Sequence, residues 1–342
     1  MIRPLPCEGS ALSWSAAALL LAAVAGFAIQ KGGLCAVLAV RELIDERRTS
    51  RFLAFLLCVA VVAAVVHPLR WLGLLDGPPA VHYAPAAAML AGGMLFGIGA
   101  VVNGTCAFGS IAHLGRGETA FLALLPGLAA GYVAAERLPA SLQPQPLATV
   151  PPLAQPELPA LLIVVTATCV ALAALLRLWR RRRPAAGVAQ RLLRDRWPAP
   201  AAAALIGVAS GVLYGAYGSW AYTEGLHRAL HGMTSGRPAT AVFDMALFAA
   251  LLAGSVAGAA AQRTLRLRRP GLRQAVRSCI GGALMGAGAI LIPGGNDALI
   301  LHDMPDSALH AWLAYVVMCV AIGRALVFAD QLTAFRRRRS QA

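Results

Sequence analysis

Nine apolar stretches divide this chain, at residues 12–29, 51–66, 85–102, 119–135, 158–178, 199–216, 239–261, 277–293 and 308–328. Each is close to the roughly 20 residues that a helix needs to cross about 30 Å of hydrocarbon. Inside a bilayer a chain must satisfy its own backbone polar groups, so stretches of this length fold as helices. With 58% hydrophobic and 13% charged residues over 342 positions, the composition lies outside that of soluble domains. The expectation is an all-α membrane protein with about nine transmembrane helices in a single membrane domain over 1–342. The first stretch lacks a strongly basic start and a small-residue cleavage site, so it reads as a retained span rather than a signal peptide.

The formal charge of +15 is carried between the apolar stretches rather than along one face, which argues against nucleic acid as a partner. Taken alternately, the loops on one side receive Lys31, Arg41, Arg47, Arg48 and Arg51, then Arg116, the run from Arg177 to Arg196, Arg263 to Arg277, and Arg336 to Arg339. That is 24 of the 30 basic residues. Arg3, Arg70, Arg137, Arg228 and Arg237 fall on the other side, and Arg324 lies within a span. By the positive-inside rule the N-terminus is expected outside and the C-terminus in the cytoplasm, with the basic loops against acidic lipid headgroups.

Slid against itself, the sequence shows an internal repeat. Gly92-Gly-Met-Leu-Phe-Gly-Ile-Gly-Ala100 matches Gly281-Gly-Ala-Leu-Met-Gly-Ala-Gly-Ala289 at six of nine positions, at an offset of 189. At nearly the same offset span one pairs with span six, two with seven, and four with nine. Because five spans separate each pair, the halves must run in opposite directions. The expected plan is an inverted 4+1+4 repeat with broken or re-entrant helices. The first repeat covers 12–135, a connecting span and basic cytoplasmic loop cover 158–196, the second repeat covers 199–328, and a cytoplasmic tail covers 329–342. In such folds substrate meets the protein near the midplane, where the halves join.

The repeated glycines leave helix faces bare, and close helix packing alone accounts for them. Packing does not account for the segment after each glycine helix. Val-Asn-Gly-Thr-Cys-Ala-Phe-Gly-Ser (102–110) comes after the first and Ile-Pro-Gly-Gly-Asn-Asp (292–297) after the second. Irregular backbone at membrane depth is tolerated only where it is buried in protein or lines an aqueous path, and the exposed N–H groups of broken helices suit an anion. Asn103, Gly104 and Thr105 in one half, with Gly294, Gly295 and Asn296 in the other, are therefore candidate substrate-binding residues.

The string from Gly92 to Glu118, with its glycine helix and Gly104-Thr105-Cys106, resembles the signature of the YeeE/YedE family of membrane proteins, the thiosulfate transporters. Gly26-Phe-Ala-Ile-Gln-Lys-Gly-Gly-Leu-Cys35 resembles that family's first cysteine segment. The likeness extends from about residue 14 to 328. It implies a bacterial inner-membrane protein of hourglass shape that takes up a small sulfur-containing anion, most simply thiosulfate, past cysteine thiols and without covalent chemistry. On that basis Cys35 and Cys106 carry over as the pathway cysteines. The family's third cysteine is replaced here by Gly295, which leaves another reduced sulfur or selenium species as an alternative cargo. A membrane protein that passes sulfur to a cytoplasmic sulfur carrier is a further alternative, and it would require a covalent persulfide on a low-pKa thiol.

The other cysteines, Cys7, Cys58, Cys169, Cys279 and Cys319, form no CxxC pair and read as small packing residues. A charge in mid-span costs about 2.5–3.5 kcal/mol or more, so Arg324 is expected to pair with Asp297, to face an anion, or to reach the cytoplasmic interface. Asp297 in the path would repel a dianion. Lys31 reads as a topology anchor at a helix end. Glu224, His227, His231 and Arg237 read as a solvated entrance surface, the two histidines giving a weak metal signal. No ATP-binding loop, zinc-protease motif or serine elbow is present, so neither an enzyme nor a cofactor or resident metal is expected.

Overall fold

The computed structural model describes residues 8–148, 152–180, 196–234 and 238–341. These residues form twelve helices of nine or more residues, in the order α1 (Glu8–Gly32), α2 (Ala36–Glu46), α3 (Ser50–Trp71), α4 (Ala87–Asn103), α5 (Ala107–Gly115), α6 (Leu124–Glu136), α7 (Leu158–Arg180), α8 (Ala199–Tyr217), α9 (Tyr222–Thr234), α10 (Pro238–Ala261), α11 (Leu272–Leu291) and α12 (Leu309–Gln341). Between α11 and α12 lie a single turn, Asn296–Ala298, and a π-helical stretch, Leu299–Asp303. Among the described residues nine units are long and apolar enough to cross a membrane, so the chain is a multi-pass membrane protein of the expected class.

Three of those units are interrupted: α1 with α2, α4 with α5, and α8 with α9. The segment after α11 makes a fourth interruption, so the breaks come in matched pairs, two per half.

The loops sort by charge. The strand-like segment at 116–118 pairs with 266–268 through Arg266 N–H to the Arg116 carbonyl and Arg268 N–H to the Gly117 carbonyl, both 2.9 Å. Trp197 N–H reaches the Lys31 carbonyl at 3.1 Å, and Arg41 pairs with Asp330 at 3.5 Å. These loops share one basic face. At the opposite face Gly77 N–H meets the Gly215 carbonyl and Leu147 N–H the His82 carbonyl, both 2.8 Å. Alternation over nine spans requires this sorting. The run Arg181 to Arg194, Arg3 and Arg237 lie outside the described residues.

The repeated glycines form the seam between the halves. A methyl group built on Gly99 would sit 2.7 Å from the Gly281 carbonyl oxygen, and one on Gly281 would sit 2.7 Å from that of Gly99. Likewise a methyl group on Gly92 would sit 3.0 Å from the Gly288 carbonyl oxygen, and one on Gly288 2.6 Å from that of Gly92. Residue numbers rise on α4 as they fall on α11, which is the signature of a two-fold axis between inverted halves. The flanking helices obey the same axis: Gly93 packs on Ala314 of α12 and Gly97 on Met318, while Gly282 packs on Leu124 of α6 and Gly286 on Leu128. Only backbone without side chains allows approaches this close. Helix α7 stands outside the symmetry, packed mainly on α3 and otherwise largely exposed.

Several single-residue expectations change. Lys31 is fully buried, its ammonium 5.5 Å from the centre of the Phe27 ring, because α1 continues past it to Gly32 and the Trp197 segment folds over it. It is not a solvated anchor. Arg324 is exposed, and the Asp297 carboxylate is held by Thr223 instead. Cys169 and Cys279 are exposed on membrane-spanning helices, while Cys58 is buried and Cys319 half-buried. Packing thus describes Cys58 and Cys319 but not Cys169 or Cys279. Cys7 lies outside the described residues.

Candidate functional site

Helix α1 ends in Gly32 and a left-handed Gly33 (φ 59°), after which Cys35 takes up extended backbone (φ −156°, ψ 129°) as the N-cap of α2. Helix α4 ends at Asn103, where Gly104 (φ 93°) turns its N–H back to the Ala100 and Val101 carbonyls. Cys106 (φ −80°, ψ −176°) is then the N-cap of α5. The two helix starts meet. Ala36 N–H donates to Cys106 Sγ at 3.1 Å, Cys106 N–H reaches Cys35 Sγ at 3.5 Å, and Cys35 Sγ lies 3.2 Å from Thr105 Oγ1. Cys35, Thr105 and Cys106 are buried, and both cysteines are free thiols. Asn103 holds the turn, its amide nitrogen donating to the Thr105 carbonyl at 2.9 Å and to Ser110 Oγ at 3.0 Å. Gln274 of the other half caps the Asn103 carbonyl at 2.9 Å. Gly104 stands apart from this cluster: it is exposed, with open space where a side chain would be, and the geometry assigns it to ending α4.

The second half repeats the device. Pro293 and Gly294 have positive φ (20° and 124°), the Gly294 N–H closes on the Ala289 carbonyl at 2.7 Å, and Gly295 (φ −80°, ψ 179°) is the N-cap of the 296–298 turn. Its backbone is within a few degrees of that of Cys106, so the symmetry places Gly295 where the first half has a thiol. Asn296 is fully buried, and neither its amide oxygen nor its amide nitrogen has a protein partner. Because buried amides are almost always hydrogen-bonded, two open positions on one side chain point to a ligand or water. Asp297 is tied off: Thr223 donates its N–H (3.1 Å) and its hydroxyl (2.6 Å) to the two carboxylate oxygens.

Tyr222 and Thr223 join the halves. The Tyr222 hydroxyl donates to the carbonyl of Ala107, next to Cys106, at 3.0 Å, while its neighbour Thr223 holds Asp297 and Tyr132 binds the Thr223 carbonyl at 2.8 Å. Helix α5 and the 296–298 turn are in contact. Sequence reading missed this pair by treating 224–237 as a solvated loop. Residues 222–234 instead form α9, whose start is buried. The chain turns into α9 after Gly218 (φ 91°), as it turns into α2 after Gly33 (φ 59°).

From the face opposite the basic loops, a cavity of about 240 Å³ leads to this second break, with Tyr83, Tyr132, Thr223, His227, Gly294 and Gly295 in its wall. Burial, reinforced by the Asp303 and Glu224 carboxylates, pushes the Tyr83 hydroxyl above its ordinary value. At the basic face a cavity of about 290 Å³ is lined by Arg116, Glu118, Arg263, Thr264, Arg266 and Arg268.

The sequence comparisons agree with this architecture. The family model described as sulphur transport matches residues 31–324, a range that contains both thiols and both broken glycine helices. A similar protein is the thiosulfate transporter TsuA of Escherichia coli (strain K12), 26% identical over 334 residues, covering 89% of this chain and 91% of the relative. With nine spans, paired helix breaks and a match over most of its length, the chain belongs to the sulphur-transport (YeeE/YedE) family of membrane transporters.

Proposed function

We propose that this transporter takes up thiosulfate through a constriction formed by Cys35 and Cys106 on one side and Gly295 and Asn296 on the other. The observation that carries the reading is the pair of free, buried thiols capping two helix starts that face each other. Helix N-termini present N–H groups and partial positive charge to an anion. A thiol is a weak S–H donor matched to the soft terminal sulfur of thiosulfate, and it can release that sulfur as readily as it binds it. The dianion enters the 240 Å³ vestibule, meets the Gly295 backbone and the Asn296 amide, and passes to Cys106 and Cys35. Thr223 keeps the Asp297 charge out of its way.

Asn296 supplies the donor that a third thiol would have given. The protein sits in the bacterial inner membrane with the N-terminus outside and the basic face in the cytoplasm, where the arginine-lined cavity receives the anion. No bond to sulfur is made or broken, so the protein is a transporter and not an enzyme.

The test is growth of a sulfur-auxotrophic bacterium without its own thiosulfate uptake, on thiosulfate as sole sulfur source, at matched expression. Growth with the wild type and its loss with Cys35→Ala or Cys106→Ala supports the thiol path. Absence of growth with well-expressed wild type removes thiosulfate as cargo, and growth unchanged in both variants returns the thiols to a packing role.

A further inference from the structure

The vestibule mouth holds a side-chain cluster that anion passage does not use. Glu136 ends α6, and His227 and His231 lie one turn apart on α9. Glu136 Oε1 is 2.6 Å from His227 Nε2 and 2.5 Å from His231 Nε2, and the three ligand-type atoms all lie within 4.8 Å of one another. We propose that Glu136, His227 and His231 form a binding site for a divalent transition-metal cation of the zinc class.

The argument is one of donor set and placement. Histidines at i and i+4 share a helix face, and here both turn Nε2 toward one point, where a carboxylate from a helix 91 residues distant completes a three-ligand set. Two imidazoles and one carboxylate suit zinc, whereas calcium and magnesium favour oxygen ligands throughout. Bonds of about 2.0–2.2 Å to a tetrahedral ion hold ligand atoms a little over 3 Å apart, so each contact must open by less than about 1 Å. The side chains are 30%, 26% and 51% exposed in the order Glu136, His227, His231, which leaves them room to do so.

The consequence lies in the vestibule. His227 is in its wall, and the Tyr132 ring packs on His227 with centroids 5.0 Å apart. Three protein ligands leave a coordination position open for water or an anion. A bound dication also offsets the negative charge of Glu136 and Glu224 at the entrance and fastens α6 to α9, the helix that carries Tyr222 and Thr223. The assignment holds whichever anion is carried.

The experiment is titration of the purified full-length protein in detergent with zinc chloride against a chromophoric zinc chelator, with magnesium chloride as control. The expected result is one zinc per chain, unaffected by magnesium and retained by the Cys35→Ala/Cys106→Ala double variant. Glu136→Gln and His231→Gln, each checked for monodisperse elution, should weaken binding at least about tenfold. Cobalt substitution should give a tetrahedral spectrum without thiolate charge transfer. Absence of saturable binding by the wild type, or binding lost in the thiol variant and kept in both ligand variants, overturns the proposal.

Discussion

Cys35 and Cys106 each cap the other's helix: the sulfur of Cys106 accepts the first N–H of α2 at 3.1 Å, and the N–H of Cys106 points at the sulfur of Cys35 at 3.5 Å. In the proposed pathway the thiols are therefore structural and chemical at once, and substitution must be chosen to separate the two roles.

Serine separates them. Cys106→Ser keeps an acceptor for the Ala36 N–H, so its melting temperature should stay near wild type, whereas Cys106→Ala should lose about 0.5–2 kcal/mol as an uncapped helix start does. Uptake of radiolabelled thiosulfate should fall about tenfold to a hundredfold in Cys106→Ala, which removes a hydrogen bond to a charged ligand worth about 1.5–3 kcal/mol, and should also fall in Cys106→Ser, where a hard, strongly hydrated hydroxyl replaces the soft thiol. Serine uptake equal to wild type would count against sulfur-specific contact.

Asn296 offers the opposite dissociation. Its amide is buried with both polar atoms open, a condition that costs about 1–3 kcal/mol per group. Asn296→Ala, which removes both polar atoms without overpacking the site, should leave thermal stability near wild type while uptake falls at least about tenfold. A destabilised but transport-competent variant would assign the amide a structural role.

The seam makes a symmetric prediction. Gly99→Ala and Gly281→Ala each place a methyl group 2.7 Å from a carbonyl oxygen of the other, so each should cost about 1–3 kcal/mol, and by similar amounts. Gly104→Ala meets no neighbour and should cost only the strain of φ 93°, about 1–2 kcal/mol. Denaturation in detergent would rank the three.

At the basic face Glu118 accepts from His113 at 2.9 Å and Arg116 at 3.1 Å. Burial alone would raise its carboxyl, yet these two partners hold it below the ordinary 4.5. A depressed folded value contributes stability above about pH 4.5 and loses it as pH falls through that lower value. The melting temperature of Glu118→Gln should therefore lie below wild type at pH 7, with the gap closing as the pH is taken below about 4.5.

Much of this was legible in the sequence because bilayer crossing and inversion leave arithmetic traces. Apolar length located the nine spans, and the glycine repeat at offset 189 located the seam, since a backbone contact admits no other residue on either side. The breaks at 103–106 and 293–296 were visible as small polar residues at membrane depth. The features that escaped were set by partners distant in sequence. Thr223 and Asp297 are 74 residues apart, and Tyr222 reaches Ala107 across 115, so no local pattern shows that 222–234 folds inward. Lys31 misled for a related reason: a lysine at a loop edge looks solvated until the Trp197 segment covers it.

The α4–α11 contact also bears on how cargo can move. Two side-chain surfaces can slide by exchanging rotamers, but main chain packed so closely that not even a methyl group fits between has none to exchange. A seam of this kind resists the rocking of one half against the other. The compliance needed for passage then falls to the short broken segments with their left-handed glycines, and gating in this transporter becomes a matter of a few local hinges at a rigid waist.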